Sequence, residues 1–444
     1  MKIPATPPNW FRILTQLEQE RCFELIESSE KISATNGGRY FHWDEIIHRQ
    51  PPEGLTREEW WCALKLWRKS LYKSVLLLDK KGAEFVFAVP DSIQETLHHI
   101  DRSIPGQPGV PKQITTPEFK EQYHVAAFIE EAITSSQLEG ATTTRQVAKE
   151  MIMKERPPQD RSEQMILNNY RTMQRIIAVK EQPLTPGLIL ELQRLVCHEA
   201  MGTPDALGRF RKADERVVVS DNYGEIFHEP PPAGELEKRM AAMCDFANGK
   251  TPDGFVHPVL RAMILHFWMA YDHPFVDGNG RTARALFYWA MLHHGYWLCE
   301  FISISHVIKK AHAQYSRAFL YTETDDNDLT YFILYHVEVL KKALTALEEY
   351  VDRKTNELRT LETQFQTTVL LNSRQRALIS HALRHAGFLY TTYGHQNSHG
   401  VSYQTARNDL TDLRDKGLLE TKTSGKTTYF RPVEDLKEKL EELE

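Results

Sequence analysis

The run His273-Pro274-Phe275-Val276-Asp277-Gly278-Asn279-Gly280-Arg281-Thr282-Ala283-Arg284 puts a base, a carboxylate, two glycines and two cations on one short stretch. Pro274 disfavours helical geometry at the residue before it, so a preceding helix should end at His273 and carry the imidazole at its tip. Gly278 and Gly280 let the backbone turn tightly and bring N–H groups close to a ligand. Asn279 reads as a cap for the helix that follows. A glycine-rich turn opening a helix presents free donors and the positive end of the dipole, which suits an anion.

Arg281 and Arg284 lie three apart and should share a helix face. Cations in a first helical turn are disfavoured by about 0.3–1 kcal/mol each. Two of them beside a glycine nest call for a compensating polyanion. Asp277 would repel phosphate unless a divalent cation lay between, so it reads as a Mg²⁺ ligand. A histidine near a phosphate can accept the proton of an attacking hydroxyl, which is worth about 10²–10⁴-fold in rate.

This run resembles the signature of Fic-domain proteins, His-Pro-Phe-x-(Asp/Glu)-Gly-Asn-Gly-Arg-x-x-Arg, and matches it at every fixed position. The resemblance covers about residues 117–353. It implies that His273 is the general base, Asp277 the Mg²⁺ ligand, and Gly278, Asn279 and Gly280 the anion hole. Arg281 and Arg284 would hold the outer phosphates of ATP, and Phe275 would anchor the loop in the core. Asp272 stands where relatives often carry an apolar residue, and no function is read into it.

Upstream, Ser135-Ser136-Gln137-Leu138-Glu139-Gly140 ends a helical pattern, with Gly140 as the left-handed stop. An acidic side chain in a last turn is opposed by the dipole, so Glu139 needs a cationic partner elsewhere. The segment resembles the family's inhibitory motif, (Ser/Thr)-x-x-x-Glu-(Gly/Asn), with Ser135, Glu139 and Gly140 in place. The resemblance implies that Glu139 pairs with Arg284 and leaves ATP in an unproductive pose. In some relatives the same glutamate helps to remove AMP, so net removal stays open. The implied activity is transfer of AMP from ATP to a Ser, Thr or Tyr hydroxyl of a target protein, or of the chain itself.

These residues need helices to hold them. Phe128, Ile129, Ala132 and Ile133, with Val125, mark one buried helical face. Further helical runs cover about 161–179, 186–200, 233–247, 258–271, 280–294 and 305–321, and a long one 329–362. A hairpin over 216–228 resembles the family's flap, which holds a target segment by strand pairing. The first hundred residues carry five of the eight tryptophans and a hairpin near Lys81-Gly82, and read as an α/β accessory domain over 1–102. Prolines and glycines over 103–117 mark a linker. The fold expected is mainly α: a Fic helical core over 117–353 with its flap, a connecting helix over 354–372 and a C-terminal unit over 373–444.

That last unit reads as helix, short helix, turn, helix and a two-stranded wing, and resembles a winged helix-turn-helix. It holds nine Lys or Arg against four acids between 373 and 432, on a chain of net charge −6. Tyr403, Gln404, Arg407 and Lys426 could contact DNA. Asp409, Asp412 and Asp415 along the same helix oppose that, and protein contact or homodimerisation stands equally. A DNA-binding regulator with a nucleotide-sensing core is thus the alternative function.

No run approaches the roughly 18 apolar residues of a membrane span. The five scattered cysteines form no CxxC pair and read as reduced thiols in a cytoplasmic protein. Gly425-Lys426-Thr427 has Glu420 where a Walker loop needs glycine, and His293-His294 has no ligand partner one turn on.

Overall fold

The computed structural model describes residues 2–31, 35, 39–102, 117–220, 223–367, 371–384, 388–424 and 427–441. It is mainly α and divides into two compact units, one of residues 1–110 with 124–345, the other of 111–123 with 346–444. Val125, the expected linker, and Gly425 and Lys426 of the expected wing have side chains or backbones outside the described ones.

The first unit opens with α1 (Trp10–Gln16), α2 (Gln19–Lys31), α3 (Trp43–Ile46) and α4 (Arg57–Leu71). A hairpin, β1 (Lys73–Leu78) with β2 (Glu84–Phe87), leads to α5 (Asp91–Arg102). Helices α6 (Pro117–Leu138), α7 (Arg145–Met153), α8 (Arg161–Val179) and α9 (Pro186–Cys197) follow. A second hairpin pairs β3 (Val219–Ser220) with β4 (Ile226–His228). Then come α10 (Leu236–Ala247), α11 (Pro258–Asp272), α12 (Asn279–His293), α13 (Ile304–Lys310), α14 (His312–Thr324) and α15 (Thr330–Thr367), which from residue 346 on belongs to the second unit.

Local chemistry starts these helices where they start. Thr56 and Glu59 form a capping box on α4, each side chain accepting from the other's backbone N–H at 3.1 and 2.8 Å. Asp160 and Thr185 cap α8 and α9, and Pro186 takes the first position of α9, where no N–H is needed. The antiparallel pair α11–α12 is the centre of the unit. Nearly every residue of α11 from Val259 to Asp272 is buried, and so is α12 from Arg281 to Leu292. A helix apolar all round needs neighbours on every side. Here α8 and α9 pack on α12, and α10 packs on α11.

The N-terminal residues, expected as a separate accessory domain, join this unit instead. Buried charges explain why. Lys65 is fully buried, and its ammonium meets Asp325 Oδ1 at 2.6 Å. Buried Arg68 donates to the Tyr331 hydroxyl and the Phe41 carbonyl, both at 2.9 Å, and the Tyr40 hydroxyl donates to Asp328. An uncompensated buried charge is too costly to leave, so these side chains tie residues 40–68 to 325–331. The first hairpin adds backbone bonds, Val86 N–H to Asn327 and Leu329 N–H to Val86.

The second unit carries α16 (Ser373–Arg384), α17 (Thr392–His399), α18 (Tyr403–Asp415), the hairpin β5 (Leu419–Ser424) with β6 (Thr427–Pro432), and α19 (Leu436–Glu441). Ile379, Leu410, Leu413, Leu418, Phe430 and Leu440 are among its core. The three aspartates of α18 are all paired internally. Buried Asp409 accepts from Arg374 at 2.7 Å, Asp412 takes Gln375 and Lys416, and Asp415 takes Arg414. Tyr403, Gln404 and Arg407 are exposed on that helix. No helix among the described residues is long and apolar enough to cross a membrane.

Candidate active site

His273 closes α11 in the left-handed region, at φ 43° and ψ 55°. Non-glycine residues take that conformation at a cost, so the surroundings must hold it. Arg211 does so: its Nε donates to the His273 carbonyl at 3.0 Å, its backbone N–H to the Pro274 carbonyl at 2.8 Å, and its Nη2 to Pro231. The imidazole is half-buried and its Nδ1 lies 3.1 Å from the Ala270 carbonyl. A carbonyl only accepts, so Nδ1 carries the proton and Nε2 keeps a lone pair. Burial, the largest influence, holds the His273 pKa down at about 4. The ring is therefore a neutral base at physiological pH.

The turn that follows is built from the inside. Phe275 is fully buried and stacks on Phe210, with ring centres 5.8 Å apart. Asn279 does not cap α12 as expected; Gly278 holds that position, with φ 85°. The Asn279 amide instead reaches back, accepting from Phe275 N–H at 2.9 Å and donating to the Phe275 carbonyl at 2.8 Å. The reason is geometric: a capping side chain must accept from an N–H further along, whereas Asn279 already lies inside the first turn. A Cβ at Gly278 would lie 2.5 Å from Cys197 Sγ, and one at Gly280 2.2 Å from Glu139 Oε1. A side chain at either position would displace these neighbours, Cys197 at the first and the Glu139 carboxylate at the second.

The two arginines part company. Arg284 is buried and donates from Nε to Ser135 Oγ at 2.8 Å, and from Nη2 to the Ser135 carbonyl and to Glu139 Oε1, both at 2.9 Å. Arg281 turns the other way, to the Val196 carbonyl at 2.9 Å and Asp277 Oδ1 at 3.1 Å, and its buried Nε has no partner among the described residues. Both stand on one face of α12, as their spacing implies, but their guanidinium groups reach apart, Arg281 joining Asn168 at the Val196 carbonyl near the end of α9. Asp277 is about one-third exposed, accepts from Gly278 N–H at 2.6 Å, and stands 3.6 Å from Arg161. Gln193 fastens the same turn by donating to the Asp277 carbonyl at 3.2 Å.

Glu139 is placed by the end of α6. Ala141 N–H bonds to Ser136 and Gly140 N–H to Gln137, with Gly140 at φ 94°, a Schellman closure. That turn aims the carboxylate at the first turn of α12. Burial would raise its pKa, but Arg284 and then Arg281 outweigh that and hold it below the usual carboxylate value. Glu139 is an anion seated on an anion site.

Glu139, Arg284, His273, Ser220, His228 and Tyr315 are among the residues around one cavity of about 600 Å³. The hairpin β3–β4 forms one wall and is shorter than the expected 216–228, pairing only Val219 with His228 and Ser220 with Ile226; Asp221 and Asn222 at its turn lie outside the described residues. His228 Nδ1 lies 2.7 Å from Glu323 and its Nε2 2.7 Å from the Tyr271 carbonyl. Burial disfavours its charge, yet Glu323 prevails and raises its pKa. Among the described residues no cluster of three or more His, Cys, Asp or Glu could hold a metal alone.

Sequence reasoning missed Arg211, Gln193 and Asp272. The first two act through backbone carbonyls, which leave no spacing signal. Asp272 is fully buried, accepts from Arg239 at 2.7 Å and Trp268 at 3.0 Å, and Arg239 also donates to the Leu78 carbonyl. It anchors the end of α11 to the first hairpin.

The Fic/DOC family model matches residues 183–291. A protein adenylyltransferase Fic of Nematostella vectensis is 40% identical over 107 residues, 24% of this chain and 22% of that protein. Its counterpart in Drosophila willistoni is 34% identical over 120 residues, 27% and 22% of the two chains. The chain thus matches about a fifth of the length of these relatives. A Fic family protein from Desulfovibrio desulfuricans shares the fold with a TM-score of 0.51 at 22% identity, over 78% of this chain and 97% of the other. Residues 183–291, which carry His273 and the turn beside it, are a domain of the Fic/DOC family.

Proposed function

We propose that this chain is a protein adenylyltransferase that moves AMP from ATP to a Ser, Thr or Tyr hydroxyl of a protein, and that Glu139 restrains it. One observation carries the reading: the Glu139 carboxylate rests on Arg284 and Gly280 in the same cavity as a neutral His273. A carboxylate there marks the place of a phosphate. With Glu139 withdrawn, Arg284 and the N–H groups opening α12 receive the outer phosphates. His273 Nε2 takes the proton of the target hydroxyl as its oxygen bonds to the α-phosphorus and the bond to pyrophosphate breaks. Preorganised charge and position supply most of the acceleration.

Asp277 suits Mg²⁺, which usually takes one or two protein carboxylates and the phosphates themselves. Its carboxylate is about one-third exposed, and its contacts with Arg281 and Arg161 would give way to the ion. The ion would neutralise charge on the leaving pyrophosphate. The orphan Nε of Arg281 beside it is a donor that an anion could satisfy. The β3–β4 hairpin would pair with an extended target segment and bring one hydroxyl toward His273. Mass spectrometry of Glu139→Gly expressed in cells should list AMP-bearing peptides that are missing when His273→Ala is added. Identical peptide sets from both refute the reading.

A second reading concerns α18 alone. Its aspartates are neutralised within the unit while Tyr403, Gln404 and Arg407 stay exposed, which suits contact with DNA. Binding of duplex DNA by the full chain should weaken steeply with salt and drop with Arg407→Ala. Salt-independent or unchanged binding rejects it.

A further inference from the structure

Two backbone carbonyls at the end of α11 lack helical donors, and each is taken by an imidazole. Pro274 has no N–H for the Ala270 carbonyl, which lies 3.1 Å from His273 Nδ1. Phe275 N–H is spent on Asn279 Oδ1 at 2.9 Å and so does not serve the Tyr271 carbonyl. That second carbonyl lies 2.7 Å from Nε2 of His228, on the flap strand β4. The other nitrogen of the same ring, Nδ1, lies 2.7 Å from Glu323 Oε2 on α14. One buried side chain thus ties the flap to α11, close before His273, and to a second helix.

Both partners of this ring are acceptors. A carbonyl never donates, so Nε2 carries a proton. A carboxylate and a bare Nδ1 lone pair would repel at this distance, so a second proton lies between Nδ1 and Glu323, whichever of the two holds it. Burial works against charge on the ring, but Glu323 outweighs it and raises the His228 pKa. The other charged or titratable groups facing the pair are few. Lys80, at the turn of the first hairpin, opposes the proton but is itself paired with Glu229 at 3.2 Å. Asp272 is spent on Arg239, and His273 is a neutral ring. The Tyr271 phenol, its ring centre 4.7 Å from that of His228, is kept uncharged by burial. His228 and Glu323 both border the cavity, which gives solvent a route to the shared proton.

We infer that His228 is a positioning residue, whose proton-dependent clasp on the Tyr271 carbonyl and Glu323 sets the flap, and a target segment paired with it, at a fixed distance from His273. Both its nitrogens are occupied, so the ring touches no reacting atom. With the shared proton gone, Nδ1 and the carboxylate push apart and β4 loses one of its two ties. A docked hydroxyl is then no longer held toward the base. The outer phosphates, received by Arg284 and the start of α12, are not involved. The inference rests on the reading of the flap and His273 as the hydroxyl-presenting side of a transferase.

The test uses the full chain carrying Glu139→Gly and follows protein-bound label in a cell lysate from saturating ATP labelled at the α-phosphate. As pH rises from about 6 toward 9, the clasp is lost through the raised value of the pair, and the rate should fall about tenfold, as expected for a lost hydrogen bond to a charged group. Glu323→Gln should remove that fall. A neutral ring with its proton on Nε2 can accept at Nδ1 from the amide, so the clasp then holds across the range. His228→Gln, which reaches one partner at a time, should run near the parent's high-pH rate throughout. Calorimetry with Mg²⁺ and ATP should give all three proteins affinities within about threefold of one another at both ends of the range. A flat profile in the parent overturns the inference. So does a Glu323→Gln profile that falls as the parent's does, an undiminished rate in His228→Gln, or an ATP affinity that drops in step with the rate. If the parent labels no protein at any pH, its own chain included, the transferase reading itself fails, and the clasp loses the role assigned to it.

Discussion

Replacing Glu139 by glutamine keeps the shape of the side chain and removes the charge that sits on Arg284. In the free protein the change costs a charge-assisted hydrogen bond, nominally about 1.5–3 kcal/mol. The Glu139 side chain is 29% exposed, so solvent screening reduces this. Arg284 also keeps both Ser135 contacts, and about 1 kcal/mol is the remaining loss. At about 2 °C per kcal/mol for a unit of this size, the melting temperature should fall by roughly 2 °C. ATP should then act in the opposite direction. A ligand at a hundred times its Kd stabilises by about 2.7 kcal/mol, so saturating ATP with Mg²⁺ should raise the variant by roughly 5 °C. The unaltered protein should gain much less, because ATP must first displace the resident carboxylate from Arg284 and Gly280. Scanning fluorimetry at several ATP concentrations reads both effects. If ATP stabilises both proteins alike, Glu139 is not occupying the phosphate site.

Three other expectations follow from buried groups. His42, His273 and His336 have pKa values depressed to about 3, 4 and 3, chiefly by burial. The unfolded chain therefore binds their protons first, and stability should be lost as pH falls from 6.5 toward 4, by about 1.4 kcal/mol per pH unit for each. His228, raised by Glu323, works in the other direction, adding stability below pH 6.5 that is lost as pH rises through its folded value. Urea midpoints should thus drop steeply between pH 6.5 and 5; a flat profile contradicts the burial assignments. Lys65→Met strands Asp325 in the core and should cost about 3–5 kcal/mol, whereas Lys65→Met with Asp325→Leu should recover most of it. A double variant no more stable than the single shows that the ion pair is not what joins residues 40–68 to the rest. Gly278→Ala places a methyl group at φ 85° and 2.5 Å from Cys197 Sγ, and should cost about 2–4 kcal/mol, part of it returned by Cys197→Ala. Undiminished stability of Gly278→Ala would show that the turn is not held closed.

The turn of the site was readable because its chemistry is local. Pro274, Gly278, Gly280 and the capping glycine Gly140 act within a few residues of themselves, so type and spacing announce them. The helices α8, α9, α11 and α12 were readable for a like reason, through their apolar periodicity. What escaped was long-range. Lys65 and Arg68 lie on an otherwise apolar helix face, yet nothing in the sequence says that their partners stand at Asp325 and Tyr331. Asn279 shows the converse error: its type suits a cap, but its place inside the first turn sends the amide back to Phe275. Arg281 and Arg284 do share a face of α12, but that the Arg281 guanidinium reaches the Val196 carbonyl is visible only once α9 is packed beneath it.

The central assertion is that the cavity beneath the β3–β4 hairpin directs attack at the innermost phosphate of a nucleotide. Glu139→Gly should be incubated in parallel with ATP labelled at the α- or at the γ-phosphate, and protein-bound label counted after denaturing wash. Label should stay on protein from the α position only, and adding His273→Ala should abolish it. Retention from the γ position, or α-label that survives loss of the imidazole, would contradict the account.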